Sequence, residues 1–235
     1  MAERQYFEFL TYHLINQKQA GGLEEYLQQA AIPAYESMGI GPVGVFSSVY
    51  GPHMASRFVL LPHPNLESVA GCRARLLADS NFVNAAAGFL KAPMTAPSYV
   101  RMESSLMADF EGIPQIELPA NNSERKSRIF ALRRYESHNL TAAKKKIEMF
   151  NQGGELALFR RIGLQPVFFG ETLIGPRMPN LTYMLTFDSM RHREDTWNTF
   201  LHDPEWAALR DDPQYADIVS DITESILKPA ECSQI

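Results

Sequence analysis

Two short segments of this chain carry the side chains best suited to chemistry. Between Tyr6 and Leu14, an alternating β-branched and aromatic run puts Glu8, Leu10 and Tyr12 on one face of an extended strand, because strand side chains alternate with a period of two. Between Ile129 and Ser137 the same spacing aligns Ala131, Arg133 and Tyr135. Together they offer one acid, one base and two phenols, the equipment of a small-molecule pocket. A purely structural buried ion pair would use the same two charges, and desolvation offsets much of the attraction within such a pair. Glu171 is a further candidate. It alternates with Val167, Phe169 and Leu173, so it stands on an otherwise apolar face, either at the wet end of its strand or in a pocket. Tyr183, on a later strand, completes the candidate set. The tyrosines with Glu8 or Glu171 would serve as acid and base if burial moved them toward neutrality.

His13 and His138 each end one of these two strands, and they form the weaker part of the site expectation. The six histidines show neither HExxH nor any tight ligand spacing, so no metal site is expected. No cofactor is expected either. A haem would need an axial histidine on a helix, such as His192 or His202, and neither stands in a supporting motif. Gly39-Ile40-Gly41-Pro42-Val43-Gly44 fits GxGxxG, but it follows a helix and precedes a strand, the reverse of the dinucleotide fingerprint. It reads as a helix C-cap. No GxSxG, cysteine motif or P-loop supports nucleophilic catalysis.

The elements that must position these residues come in two similar rounds. Tyr12 falls on Tyr135, Ile40-Gly41 on Ile162-Gly163, Asp79-Ser80-Asn81-Phe82 on Asp203-Pro204-Glu205-Trp206, and Glu103-Ser104 on Glu224-Ser225, at offsets of 121 to 124. A constant offset points to an internal duplication. In the first round, strands are predicted at Tyr6–Leu14, Val43–Tyr50, Arg57–Leu61 and Tyr99–Leu106. Apolar spacing predicts helices from Leu23 to Ala34, bent by Pro33, from Leu66 to Leu77, and around Phe82–Leu90. Gly51-Pro52 marks a turn. In the second round, strands are predicted at Ile129–Ser137, Pro166–Ile174, Thr182–Phe187 and Ile218–Ile226. Its helices are Thr141–Arg161, with Thr141 as N-cap, Ser189–Leu201 and Glu205–Arg210. The order β-α-β-β-α-β is that of a ferredoxin-like unit. The expectation is therefore an α+β chain of two tandem ferredoxin-like domains, residues 5–111 and 127–230, joined by a polar linker at 112–126. Such a unit covers one sheet face with helices, so the two uncovered faces should stack into a barrel-like core.

The segments Phe7-Glu8-Phe9-Leu10-Thr11-Tyr12-His13 and Phe130-Ala131-Leu132-Arg133-Arg134-Tyr135-Glu136 resemble the Glu-x-Arg-x-Tyr opening strand of NIPSNAP domains. The stretch from Tyr183 through Phe187-Asp188-Ser189-Met190-Arg191-His192-Arg193 to Asp203-Pro204-Glu205-Trp206, and the closing Ile226-Leu227-Lys228-Pro229, are similar to other blocks of that family. The resemblance spans essentially the whole chain. It implies the dimeric α+β-barrel class and no agreed activity. The first copy keeps Glu8 and Tyr12 with Leu10 in place of arginine. The second keeps Arg133 and Tyr135 with Ala131 in place of glutamate. If the sheets stack, Glu8 and Arg133 would contribute one charge each to a shared interior. The expected function is binding or transforming a small molecule between sheet and helices, and the alternative is a non-catalytic scaffold for other proteins.

Bulk properties exclude other partners. The 235 residues carry a net charge of −5, which disfavours nucleic acid and anionic membranes. Lys144-Lys145-Lys146 reads as a solvated helix face. No apolar run approaches a membrane span. Cys72 and Cys232 suggest no disulfide framework. Trp197 and Trp206 read as core and helix-packing residues. No signal peptide is evident, and tandem relatives often carry a twin-arginine leader, so an exported or a cytoplasmic location both remain open. Unpaired strand edges at Val43–Tyr50 and Pro166–Ile174, with the apolar Phe168-Phe169 neighbourhood, lead us to expect a homodimer.

Overall fold

The computed structural model describes residues 4–51, 56–119 and 127–235. Eight strands close into one antiparallel barrel, with β1 Tyr6–His13, β2 Gly44–Tyr50, β3 Ser56–His63, β4 Arg101–Asp109, β5 Ile129–Glu136, β6 Gln165–Ile174, β7 Asn180–Phe187 and β8 Asp221–Pro229. Around the ring the order is β1-β3-β2-β8-β5-β7-β6-β4. The helices pack outside it: α1 Gln17–Tyr26, α2 Ile32–Ser37, α3 Leu66–Ala78, α4 Ser80–Ala85 and α5 Ala87–Leu90, then α6 Leu140–Asn151, α7 Glu155–Ile162, α8 Met190–Leu201 and α9 Pro204–Arg210. The fold is mixed α+β, as expected. Its core lies in three main layers, one inside the barrel and one between sheet and helices on each side.

Pairing closes the ring where free edges were anticipated. Residues Phe46 to Tyr50 of β2 bond to β8, and Gly170 to Ile174 of β6 bond to β4. Phe168 and Phe169 are both fully buried. Neither premise of the homodimer expectation holds in this chain, because intrachain pairing satisfies the edge groups that a partner would have taken.

Local differences from the sequence reading have local causes. Asn16 caps α1 by accepting from the Gln19 N–H, so the first helix begins well before Leu23. A π-helical turn, Leu27–Ala31, precedes Pro33, whose ring crowds the carbonyl one turn back and widens the helix there. Asn139 caps α6 through the Ala142 N–H, in place of Thr141. The long helix expected to Arg161 breaks at Gly154, which adopts a left-handed φ of 88°. Gly39, with φ of 72°, ends α2 as a C-cap. The last strand runs to Pro229 rather than ending at Ile226. Within the expected linker, residues 120–126 lie outside the described residues, as does Pro52 of the Gly51-Pro52 turn. The described part is pinned to both halves, and on the first-half side the Gln5 N–H donates to the Pro114 carbonyl and the Ile116 N–H to the Gln5 side chain. Ile113 is fully buried, the Gly112 N–H donates to Asn151, and the Glu117 N–H donates to the Val167 carbonyl.

Candidate functional site

Strand pleating decides where the candidate residues go. Phe7 and Phe9 point into the barrel, as do Phe130 and Leu132. Glu8, Leu10 and Tyr12 therefore face the helices of the first half, and Ala131, Arg133 and Tyr135 face those of the second. The interior is filled by Phe7, Phe9, Phe46, Phe130, Phe168 and Met184, among others. Glu8 and Arg133 do not share it. Each charge is completed within its own half.

Glu8 sits under α3. The Ser104 hydroxyl donates to its Oε1 at 2.7 Å and Arg73 Nη2 at 3.3 Å, while His63 Nε2 stands 3.8 Å from Oε2. His63 is fully buried, and its Nδ1 lies 3.0 Å from the Ser68 hydroxyl. Burial opposes ionisation of Glu8. The approach of His63, the Ser104 hydroxyl and the Arg73 charge overcome it and hold the carboxyl below its ordinary value. Tyr12 lies in the same layer, edge-on to Tyr99 at 5.3 Å, and burial holds its phenol protonated well above the ordinary value.

Arg133 anchors the second cluster. Its Nη1 reaches Glu224 Oε2 at 3.0 Å, its Nη2 donates to the Tyr135 hydroxyl at 3.2 Å, and Trp197 covers its guanidinium at 4.5 Å. Arg193 takes the other Glu224 oxygen at 2.5 Å. The Tyr183 hydroxyl donates to that of Tyr135 at 3.1 Å, and its ring stacks on Phe169 at 4.5 Å. Burial alone would lower the Arg133 pKa, but the neighbouring Tyr183, Tyr135 and Glu224 hold it above the ordinary value. Behind this chain lies a second buried pair. Lys146 Nζ bonds Glu155 Oε2 at 2.6 Å and stands 4.3 Å above the Phe150 ring. The Lys144-Lys145-Lys146 run is thus a solvated face only in part, because Lys146 falls on the buried stripe with Ala142, Ala143, Met149 and Phe150.

Register explains how the two halves differ. Leu10 opposes Ser104 across β4, and Arg133 opposes Glu224 across β8. Ser104, rather than Glu103, holds the place of Glu224. The sequence match of Glu103-Ser104 with Glu224-Ser225 is one residue out of step, and one step moves a side chain to the other face. Glu103 consequently meets His13, whose Nε2 lies 3.0 Å from its Oε1. His138 is exposed beyond the end of β5. Glu171 is half-buried on β6 and is bonded to neither cluster among the described residues. A bulge between Pro166 and Phe168 turns Val167 into the barrel and away from Glu171's face. His192 Nδ1 accepts from the Asp188 N–H at 3.3 Å, and His202 Nδ1 faces the Asn198 carbonyl at 2.8 Å, so both are engaged at the ends of α8. His63, Arg73, Arg193, Lys146 and Glu155 were given no site role by sequence reasoning. Lys146 alone left a signal, its place on the apolar helix stripe.

Open space lies elsewhere. A cleft of about 630 Å³ runs between α1 and residues 85–98, at the outer edge of the first half. None of Glu8, Tyr12, Arg133, Tyr135, Glu171 or Tyr183 lines it. Its floor is a parallel stack of Tyr26 on Phe89, with centroids 4.0 Å apart and planes 6° apart. Phe89 leads on to Tyr99, 5.8 Å away, and Tyr99 to Tyr12, so an aromatic column connects the cleft to the candidate strand. Gln19 ties the two walls together, accepting from the Ile15 N–H and donating to the Pro97 carbonyl at 2.8 Å. The Tyr26 phenol is pushed up to about 12, chiefly by burial and also by Tyr99 and Cys72. Cys72 and Cys232 are free thiols, and no group of residues suited to a metal occurs among the described residues. No described helix is long and apolar enough to cross a membrane.

The sequence profile of the NIPSNAP family matches residues 7–108 and 130–234. No curated protein matches the chain. Among solved structures, a protein from Lactobacillus acidophilus NCFM provisionally described as a monooxygenase is similar, with 11% identity and a TM-score of 0.58, over 97% of this chain and 94% of that one. A protein from Fusobacterium nucleatum subsp. nucleatum ATCC 25586, described in the same way, shares 8% identity with a TM-score of 0.60, over the same shares of the two chains. An anthrone oxidase-like protein shares 8% identity with a TM-score of 0.55, over 97% of this chain and 92% of its own. Identities this low carry the fold alone.

Proposed function

This chain belongs to the NIPSNAP family, and from that premise we propose that it binds a small organic molecule in the cleft between α1 and residues 85–98. We read β4-β1-β3-β2 and β8-β5-β7-β6 as two ferredoxin-like units closed edge to edge, each with one helix-covered face where a ligand can enter. The observation that carries the proposal is the cleft itself. Its volume of about 630 Å³ lies within the range of small-molecule sites, and it combines an aromatic floor with a few polar groups.

Binding without chemistry is the better-supported version. Separate completion of Glu8 and Arg133 removes the shared acid–base pair on which a catalytic pocket was expected to rest. The cleft's own phenol, Tyr26, is kept protonated by burial, which suits it to offer a donor rather than to act as a base. The monooxygenase and oxidase names of the structural neighbours belong to those proteins and supply no residue here. The filled barrel interior favours one second reading, a scaffold whose polar clusters serve folding. Native mass spectrometry of the chain purified from its own host distinguishes them. A small molecule released on denaturation supports binding. A bare chain that no compound in a fragment panel stabilises leaves the scaffold.

A further inference from the structure

Two glycines line the cleft where a side chain would meet nothing. Gly22 lies in α1 and Gly88 in α5, and a Cβ built on either has no neighbour within 4 Å. Glycine inside a helix is costly, because it gives up more backbone freedom than any other residue and packs nothing in return. Neither residue has a positive φ, and neither lets another backbone approach. No demand of the fold keeps these positions bare. Ala85, Ala86, Ala92 and Ala96 are further small residues of the lining, and Lys18, Glu25 and Gln29 bring longer polar side chains to it. Tyr26 follows Gly22 by one helical turn and Phe89 follows Gly88 directly, so the bare patches adjoin the stacked rings.

We infer that the ligand is a flat ring compound extending the Tyr26–Phe89 stack, and that Gly22 and Gly88 set the thickness it can have. This rests on the cleft being the binding site. Parallel rings 4.0 Å apart present a planar surface, and a planar guest continues it with offset stacking. At Gly22 and Gly88 the wall is bare backbone and admits a ring lying close against it, whereas a thicker globular guest meets the side chains on either side.

The probes are 2-naphthol, which is flat and fluorescent, and 1-adamantanol, which is globular, titrated into the full chain and into three variants. G22L and G88L place a side chain in the cleft. G21L changes helix propensity by the same amount one residue away, where a Cβ also meets nothing but the cleft is not lined. The expected result is that 2-naphthol binds the parent and G21L alike and binds G22L and G88L roughly tenfold more weakly or worse, the scale of loss when a pocket is filled. Thermal unfolding of all three variants should match or exceed that of the parent, so lost binding cannot be ascribed to misfolding. Equal affinity for 1-adamantanol overturns the flatness inference while leaving the cleft in place. If 2-naphthol binds G22L and G88L as it binds the parent, or does not bind the parent at all, the cleft is not the site and both readings fall.

Discussion

Lys146 Nζ lies 2.6 Å from Glu155 Oε2, and neither side chain exposes more than 4% of its surface. The pair joins α6 to α7 across the break at Gly154 and is walled by the rings of Phe150, Tyr135 and Trp206. Removing one partner strands the other charge in an apolar layer. We expect Lys146→Met to cost about 3–5 kcal/mol, and the double variant K146M/E155L to recover most of it. Burial already pushes the Glu155 carboxyl up, against the pull of Lys146. In K146M that opposing pull is gone, so the folded state binds a proton that the unfolded state releases. Its stability should then fall as pH rises. Urea unfolding of the three proteins at acidic and alkaline pH measures both effects. A penalty that is equal at both pH values would mean that Glu155 finds another partner.

Glu8 titrates in the opposite sense. Its folded carboxyl is held below the ordinary value, so its contribution is complete above the unfolded pKa and disappears as pH falls through the folded one. Glu8→Gln keeps the shape and removes the charge. The stability gap between parent and E8Q should be widest near about pH 6 and close toward about pH 3. Chemical denaturation across that range decides it. A gap that persists in acid would assign the loss to hydrogen-bond geometry at Ser104 instead of to charge.

The strands were legible because their residues alternate, and the family likeness showed in the same segments. The inward face was not. On β1 both Phe7-Phe9 and Leu10-Tyr12 are buried, since the barrel fills one face and α3 covers part of the other. A strand buried on both sides gives no polarity from which to choose a face. The shared Glu8–Arg133 interior failed for that reason. The paired edges failed for another. Closure depends on contacts between segments far apart in the chain, such as Phe46 with Pro229 and Leu106 with Ile174, and local pattern does not encode them. The cleft was invisible for the same reason. It lies between α1 and the distant segment 85–98, and local pattern does not show which segments come together.

The barrel interior carries its own prediction. Phe168 is fully buried and packs on Phe7 at 5.3 Å and Phe9 at 6.4 Å between ring centroids. Phe168→Ala should cost about 3–5 kcal/mol, as large-to-small changes in aromatic cores do. If the interior were a ligand cavity rather than packing, the same change would be mild. Thermal or urea unfolding reads the difference.

Gln19 supplies the last expectation, because it links fold to site. Its side chain is buried and uses both ends of the amide, accepting from the Ile15 N–H at 2.9 Å and donating to the Pro97 carbonyl at 2.8 Å. It thereby fastens the start of α1 to the 92–98 wall, which is otherwise held by the Ser98 hydroxyl on the Phe89 carbonyl and by the Val100 N–H on His13. Gln19→Ala removes both bonds, at about 0.5–1.5 kcal/mol each. Little apolar contact secures this segment besides Phe89 and Tyr99, so the loss should appear locally first. Amide hydrogen exchange should speed up across residues 92–100 in Q19A while the β1 and β3 amides keep their protection. Affinity for 2-naphthol should drop with it. Uniform acceleration throughout the first half would mean that Gln19 supports that half as a whole and has no particular hold on the cleft wall.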